Sequence, residues 1–256
     1  MELRETFNED AVNYDRFRPT YPPELFRDIF AYSGVGRDSS LVEIGVGTGQ
    51  ATTPFVEAGC QVCGVELGDK LSAFAAVKFR DYGNFTIHCV DFMEFPLEDA
   101  SVDLVYSATA FHWLPQEAAY EKIRKCLKPG GALAIFRIHP FPNRVNDPTN
   151  AANRRVYDKL RPTDKKIAEF SEADCEPTLD ALRAQGFRDV EARLYRRVRT
   201  LPTEEYIGLL RTYSDHYVLE PELKRRFEKE MRDAIDAVGG CINIYDTVAL
   251  YLAKNP

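Results

Sequence analysis

The apolar run Ser40 to Ile44 passes directly into Gly45-Val46-Gly47-Thr48-Gly49, and a helical stretch follows to about Ala58. Three glycines at alternate positions between a strand and a helix leave few folds open. Glycine is needed where the backbone turns sharply and a ligand must come close to it. The helix beyond the turn offers N–H groups without intrahelical partners. Turns of this kind hold nucleotides at the carboxyl edge of an open, mostly parallel sheet.

The flanking pattern agrees. Gln61–Leu67, Phe85–Val90, Val102–Ser107 and Ala132–Ile138 read as four further strands, nearly continuous in apolar residues, as strands covered on both faces are. Between them, Asp69 caps a helix bearing Leu71, Phe74 and Ala75, and Pro115–Leu127 repeats Ala119, Ile123 and Leu127 at four-residue spacing. Pro22-Pro23 open an earlier helix with the stripe Leu25, Phe26, Ile29 and Phe30, ended by Gly34. Strands alternating with helices at these spacings predict parallel β-α-β units. Lys128-Pro129-Gly130-Gly131 reads as a turn before the fifth strand, and Phe7–Pro22 as a loop or broken helix.

After Ile138 the rhythm breaks. Residues 139–176 are polar and proline-rich, with a helix near Ala151–Leu160. Then come a helix over Leu179–Gln185, a strand over Val190–Thr200, a helix capped by Thr203, another opened by Pro221, and a last strand over Asp246–Ala253. Arg193, Arg197 and Arg199 share one face of the long strand, read as a solvated face. The expected organisation is one domain, 1–256, with an N-terminal arm 1–21 and lid insertions at about 139–176 and 201–240.

The glycine turn also selects its ligand. A dinucleotide fingerprint, G-x-G-x-x-G, would put its third glycine at position 50, which is Gln50. The acid Glu43 stands two residues before Gly45. A pyrophosphate is repelled by a carboxylate at the strand end, whereas a ligand with an ammonium group is attracted. The pattern therefore fits S-adenosylmethionine (SAM) better than NAD. Glu66 ends the second strand, where a carboxylate accepts from both ribose hydroxyls. Asp91 ends the third, suited to the adenine amino group, with Leu67 and Phe92 lining the ring face.

Composition narrows the partners. With 33 Lys+Arg against 40 Asp+Glu, the net charge is −7, which argues against duplex nucleic acid as a partner. No stretch approaches the roughly 20 apolar residues that span a bilayer, and Met1–Glu5 lacks the apolar core of a secretory signal. Six cysteines are too sparse for a disulfide scaffold, and the lone C-x-x-C of Cys60 and Cys63 lacks the second pair that a zinc site wants. Cytoplasmic location and no metal are the expectations. Nothing in the sequence fixes the oligomeric state.

Together these segments resemble a class I SAM-dependent methyltransferase, and more closely the small-molecule branch of trans-aconitate-type methyltransferases. Phe7 with Ala11, Tyr14-Asp15, Arg18-Pro19 and Tyr21-Pro22 resembles that branch's N-terminal signature, although Asn8 stands where an aromatic is usual. Glu43–Gly49, Glu66, Asp91-Phe92, Phe111-His112-Trp113 and Leu127–Gly131 resemble its successive motifs. The resemblance implies an α/β, Rossmann-like, seven-stranded mostly parallel sheet with an antiparallel last strand, helices on both faces and helical lid insertions. It implies SAM as cofactor, S-adenosylhomocysteine as product, and a small-molecule acceptor, with an oxygen of a small carboxylic acid as the expected site. Tyr14 and Arg18 are expected to close over SAM, Glu43, Gly45, Gly47, Gly49, Glu66, Leu67, Asp91, Phe92, Ser107 and Ala108 to bind it, and His112 to act as base or positioning group.

Three other readings stay open at this level. Gln50 and Glu43 speak against a dinucleotide oxidoreductase. The Asn/Asp-Pro-Pro-Tyr/Phe motif of amide and adenine methylation is replaced by Ser107-Ala108-Thr109-Ala110, which speaks against a macromolecule methyltransferase. A non-catalytic SAM-binding protein would keep the same motifs.

Overall fold

The computed structural model describes residue 8, residues 10–163 and residues 168–256, so Phe7 of the N-terminal signature and Met1–Glu5 lie outside the described residues. The elements run α1 (Ala11–Phe17), α2 (Pro23–Ser33), β1 (Ser40–Ile44), α3 (Thr53–Glu57), β2 (Gln61–Glu66), α4 (Asp69–Lys78), β3 (Phe85–Cys89), β4 (Val102–Ala108), a 3-10 turn (Phe111–Trp113), α5 (Gln116–Cys126), β5 (Leu127–Phe141), α6 (Pro148–Leu160), another 3-10 turn (Glu172–Cys175), α7 (Glu176–Ala184), β6 (Arg188–Pro202), α8 (Thr203–Arg211), α9 (Ser214–Tyr217), α10 (Pro221–Asp236) and β7 (Cys241–Lys254).

The strands form one seven-stranded sheet in the order β3-β2-β1-β4-β5-β7-β6. Pairing is parallel from β3 through β5, and the antiparallel pairing falls to the last strand. The strand order reverses at β1, which lies between β2 and β4. This is the switch point where open α/β sheets leave a crevice outside the carboxyl ends of the strands. The glycine turn leaves the sheet there.

Several details differ from expectation; Asp69 and Thr203 do not cap their helices but are the first residues inside them, after Gly68 and Pro202. The arm, read as a loop or broken helix, holds one short helix: Ala11–Phe17 is helical, because the Asp10 side chain accepts the Asn13 N–H at 3.0 Å and caps it. The helix after the glycine turn begins only at Thr53, with Pro54 in its first turn, so residues 48–52 remain turns. Lys128–Gly131 does not precede the fifth strand but lies within it. Val102 pairs with Leu127 and Leu104 with Ala132, so the surplus residues of β5 are taken up as an irregularity in the ladder.

Two compact units are distinguished. The sheet unit comprises Pro19–Arg137, Ser171–Tyr195 and Val248–Pro256. Its core packs β1 and β4 (Leu41, Val42, Leu104, Val105, Tyr106) with Leu25, Ile29 and Phe55, all nearly or fully buried. The Tyr106 and Phe55 rings meet at 4.4 Å. Each such side chain contributes about 1.5–3 kcal/mol of burial.

The helical unit comprises the chain through Arg18, Ile138–Phe170 and Arg196–Thr247. Phe227, Met231 and Ile235 of α10 meet Val156 of α6 and Ile207 and Leu210 of α8 in one cluster. α1 packs on α8, where Gly208 leaves room for the Phe17 ring. The Asp147 carboxylate caps α6 and accepts from Asn243 and Tyr245 of β7, which holds its carboxyl down at about 2 against the opposing effect of burial. Arg197 and Arg199 do not form a solvated face: both pair with the fully buried Asp246. Among the described residues, no helix is long and apolar enough to cross a membrane.

Candidate SAM site

The glycine turn is shaped by two close approaches. Gly45 has φ +73°, and a Cβ there would overlap the Ala110 methyl. Gly49 has φ +84°, and a Cβ there would overlap the Phe79 ring. Any side chain at either position would be strained and would displace a neighbour.

The turn's own amides are already engaged. Gly45 N–H donates to Val65 O at 2.8 Å, Gly49 N–H to Val46 O at 2.9 Å, and Gly47 N–H to Glu66 Oε2 at 2.8 Å. The other oxygen of Glu66 accepts the Gly68 N–H at 2.9 Å, so one carboxylate ties the glycine turn to the end of β2. Glu66 is 8% exposed. Burial raises its carboxyl, and the amides of Gly68, Gly47 and Leu67 pull it back.

Glu43 takes a position the sequence does not foretell. It is fully buried, and its Oε2 accepts from Thr52 Oγ1 at 2.6 Å and Tyr106 OH at 2.8 Å. Its Oε1 is buried with no hydrogen-bond partner. The carboxylate thus ties β1 to Thr52 at the start of α3 and to Tyr106 of β4 through one oxygen, and leaves the other without a protein partner. Burial raises the carboxyl to about 8, the Thr52 and Tyr106 hydrogen bonds oppose that rise, and the charge of Glu66 adds to it. Thr52 and Tyr106 are distant in sequence, and no local pattern marks them.

Asp91 follows β3, and its Oδ1 accepts the Met93 N–H at 2.9 Å, closing a local turn. Phe92 is buried beside it, while Leu67 is 40% exposed at the end of β2. Lys122 of α5, which the sequence reading passes over, holds this loop. Its ammonium donates to the carbonyls of Phe92, Met93 and Phe95 at 2.6, 3.0 and 2.5 Å.

At the end of β4, Ser107 is fully buried and donates to Ile44 O at 3.0 Å, so its hydroxyl joins β4 to β1. Ala108 is half-buried. His112 lies in the 3-10 turn Phe111–Trp113, its ring 4.9 Å from that of Trp113. Tyr14 and Arg18 belong to the helical unit. There the Arg18 guanidinium lies 5.0 Å from the Tyr14 ring and 4.9 Å from the Tyr213 ring and donates to Thr212 O at 2.6 Å. Among the described residues, no three His, Cys, Asp or Glu gather in a way that would hold a metal ion.

Comparison with known proteins gives this geometry a context. The family described as the methyltransferase domain matches residues 42–135, which run from β1 into β5. An uncharacterized methyltransferase of Geobacillus kaustophilus is 35% identical over 194 residues, covering 71% of this chain and 85% of the relative. Among solved structures, a candidate type II methyltransferase from Anaeromyxobacter dehalogenans superposes with TM-score 0.69 at 22% identity, over 93% of this chain and 98% of that one. Phosphoethanolamine N-methyltransferase 2 of Haemonchus contortus, solved with phosphomonomethylethanolamine and S-adenosylhomocysteine, gives TM-score 0.59 at 17% identity. This chain is covered in full by that match but spans only 60% of the nematode protein. With a relative this similar along most of its length, and with the sheet order and glycine turn described above, the chain belongs to the methyltransferase family as a class I, SAM-dependent enzyme.

Proposed function

We propose that the sheet unit binds SAM at the carboxyl ends of β1, β2 and β3. The acceptor of its methyl group is a small molecule, an oxygen of a small carboxylic acid of the kind used by trans-aconitate-type methyltransferases. The observation that carries the cofactor half is the state of the glycine amides. A pyrophosphate at a helix N-terminus needs free N–H donors. Here the Gly47 N–H is taken by Glu66, and a pyrophosphate would meet a carboxylate. A ribose instead brings donors, and the carboxylate of Glu66 keeps further acceptor capacity beside its amide bonds.

In this reading Glu66 receives the ribose hydroxyls and Asp91 the adenine amino group. Leu67 and Phe92 flank the ring, and Gly45, Gly47 and Gly49 allow close backbone approach beside Ala108. Glu43 and Ser107 hold the turn and the strand end from behind. Tyr14 and Arg18 keep the part the resemblance implies, the guanidinium taking a carboxylate. When bound, SAM supplies an already activated sulfonium methyl for in-line displacement. The chain's own work is to orient the acceptor and exclude water. His112 takes the proton of a hydroxyl acceptor or holds the oxygen of a carboxylate acceptor.

A small acid in a reducing cytoplasm completes the proposal, and the six free cysteines favour that compartment. The test is thermal stabilisation by S-adenosylhomocysteine and NAD added separately, followed by S-adenosylhomocysteine release from SAM over a panel of small carboxylic acids. Stabilisation by NAD alone sinks the cofactor half. Release with none of the acids, but with a macromolecular acceptor, sinks the acceptor half.

A further inference from the structure

The segment after β4 contains an unusual backbone. Thr109 has φ +57°, in the left-handed region, and among the described residues with positive φ other than glycine it alone is β-branched. A β-branched side chain disfavours that region by a factor of about 5–30 in population, so the surroundings must enforce it. Two contacts do so. The Thr109 N–H donates to Phe136 O at 2.7 Å, and the Thr109 hydroxyl shares a hydrogen bond of 2.8 Å with the Tyr21 hydroxyl.

Tyr21 is itself held by the same residue. Its ring stands edge-on to Phe136 at 4.8 Å and to Phe26 at 6.4 Å, and it is 9% exposed. Phe136 therefore grips Thr109 through its carbonyl and Tyr21 through its ring, and the two hydroxyls close the triangle. The residue after Thr109 is Ala110, whose methyl occupies the space a Gly45 Cβ would need. The Ala110 carbonyl then accepts the Trp113 N–H at 3.0 Å and starts the turn that carries His112.

We propose that Tyr21 is a positioning residue: its hydroxyl holds Thr109 in the left-handed conformation, and so sets both the Ala110 wall of the glycine turn and the placement of His112. The inference rests on the reading of this edge as the methyl-transfer site. It gives a task to the Arg18–Pro22 segment that cofactor binding alone does not require. Strain of this kind persists only where the surroundings over-determine it, and it gathers at sites that need a fixed geometry.

Trp113 is the sole tryptophan, so its fluorescence reads the turn without any acceptor. The experiment measures acrylamide quenching of Trp113, thermal stability, and S-adenosylhomocysteine affinity by calorimetry, in Tyr21→Phe, Thr109→Val, and Tyr21→Phe combined with Thr109→Gly. Losing one hydroxyl–hydroxyl bond raises the released population about five-fold. The expected result is that Tyr21→Phe and Thr109→Val each about double the quenching constant. Thr109→Gly, which needs no clamp to adopt a positive φ, returns the Tyr21→Phe protein to the wild-type value. Unchanged quenching in Tyr21→Phe, or no rescue by Thr109→Gly, overturns the proposal, even if the melting temperature falls. Wild-type protein that binds no S-adenosylhomocysteine while showing this quenching pattern refutes the site reading and leaves the clamp standing.

Discussion

Replacing Glu43 by Gln tests the most unusual electrostatic feature of the site. The amide keeps a carbonyl oxygen to accept from Thr52 and Tyr106, and it offers an uncharged NH2 where Oε1 now lies buried and unpaired. The folded-state carboxyl sits at about 8 against an ordinary 4.5, chiefly through burial. Between those values the folded protein binds a proton that the unfolded chain releases. The stabilisation is therefore full below about pH 4.5 and is lost as pH rises through about 8. The whole difference corresponds to at most about 5 kcal/mol.

Glu43→Gln has no proton to lose. Its stability relative to wild type should be near zero at pH 4, favour the variant increasingly by up to about 1.4 kcal/mol per pH unit between about pH 4.5 and about 8, and level off from there to pH 9. Urea unfolding of both proteins at pH 5, 7 and 9 measures this directly. A difference that does not change with pH would refute the burial argument. S-adenosylhomocysteine affinity then separates the two roles of the residue. A carboxylate acting from behind the turn leaves affinity within a few-fold. A loss of about 10- to 100-fold means that Glu43 pairs with the ammonium group directly, as the sequence alone suggests.

Further outcomes follow from the same contacts. Glu66→Gln leaves one carbonyl oxygen for the Gly47 and Gly68 amides; strand both and the cost is about 1–3 kcal/mol each, so stability should fall by about that much for one amide and S-adenosylhomocysteine affinity at least ten-fold, read by unfolding and calorimetry. Gly49→Ala forces a side chain at φ +84° against Phe79 and should cost about 2–4 kcal/mol in denaturant unfolding. Lys122→Met leaves three carbonyls of the Asp91 loop without their donor and should lower stability by about 1–3 kcal/mol, with earlier proteolysis after β3 than elsewhere.

The parts of the fold legible in the sequence are those set by local pattern. β1 runs over Ser40–Ile44 as its apolar run predicts, and β2 through β4 end within a residue of expectation. Period-2 and period-3.6 patterns are short-range, and so are the glycines that close them. What escaped was long-range. One oxygen of Glu43 accepts from Thr52, nine residues on, and from Tyr106, 63 residues on, so its direction is set by the packing of β1 against β4. The partner of Ser107 is likewise long-range, its hydroxyl donating to Ile44 O across the β4–β1 pair. No local signal marks Thr109 as left-handed, because its conformation is imposed by Tyr21 and Phe136. The α1 helix was obscured because its stripe is short and none of its residues is buried, so capping rather than burial marks its start.

The composition of the helical unit has a kinetic consequence. Its three segments are far apart in the chain: Arg18 reaches Thr212 across 194 residues, and Asn243 reaches Asp147 across 96. Closing loops of that length precedes any reward from the contacts they make, which slows folding. During synthesis α6 waits for β7 before Asp147 gains the Asn243 and Tyr245 donors. A chain released before residue 241 would lack β7, so the edge of β5 and the side of the α6–α8–α10 cluster that Ile242 and Ile244 cover would be bare, a surface for chaperone binding and aggregation rather than a partly active enzyme.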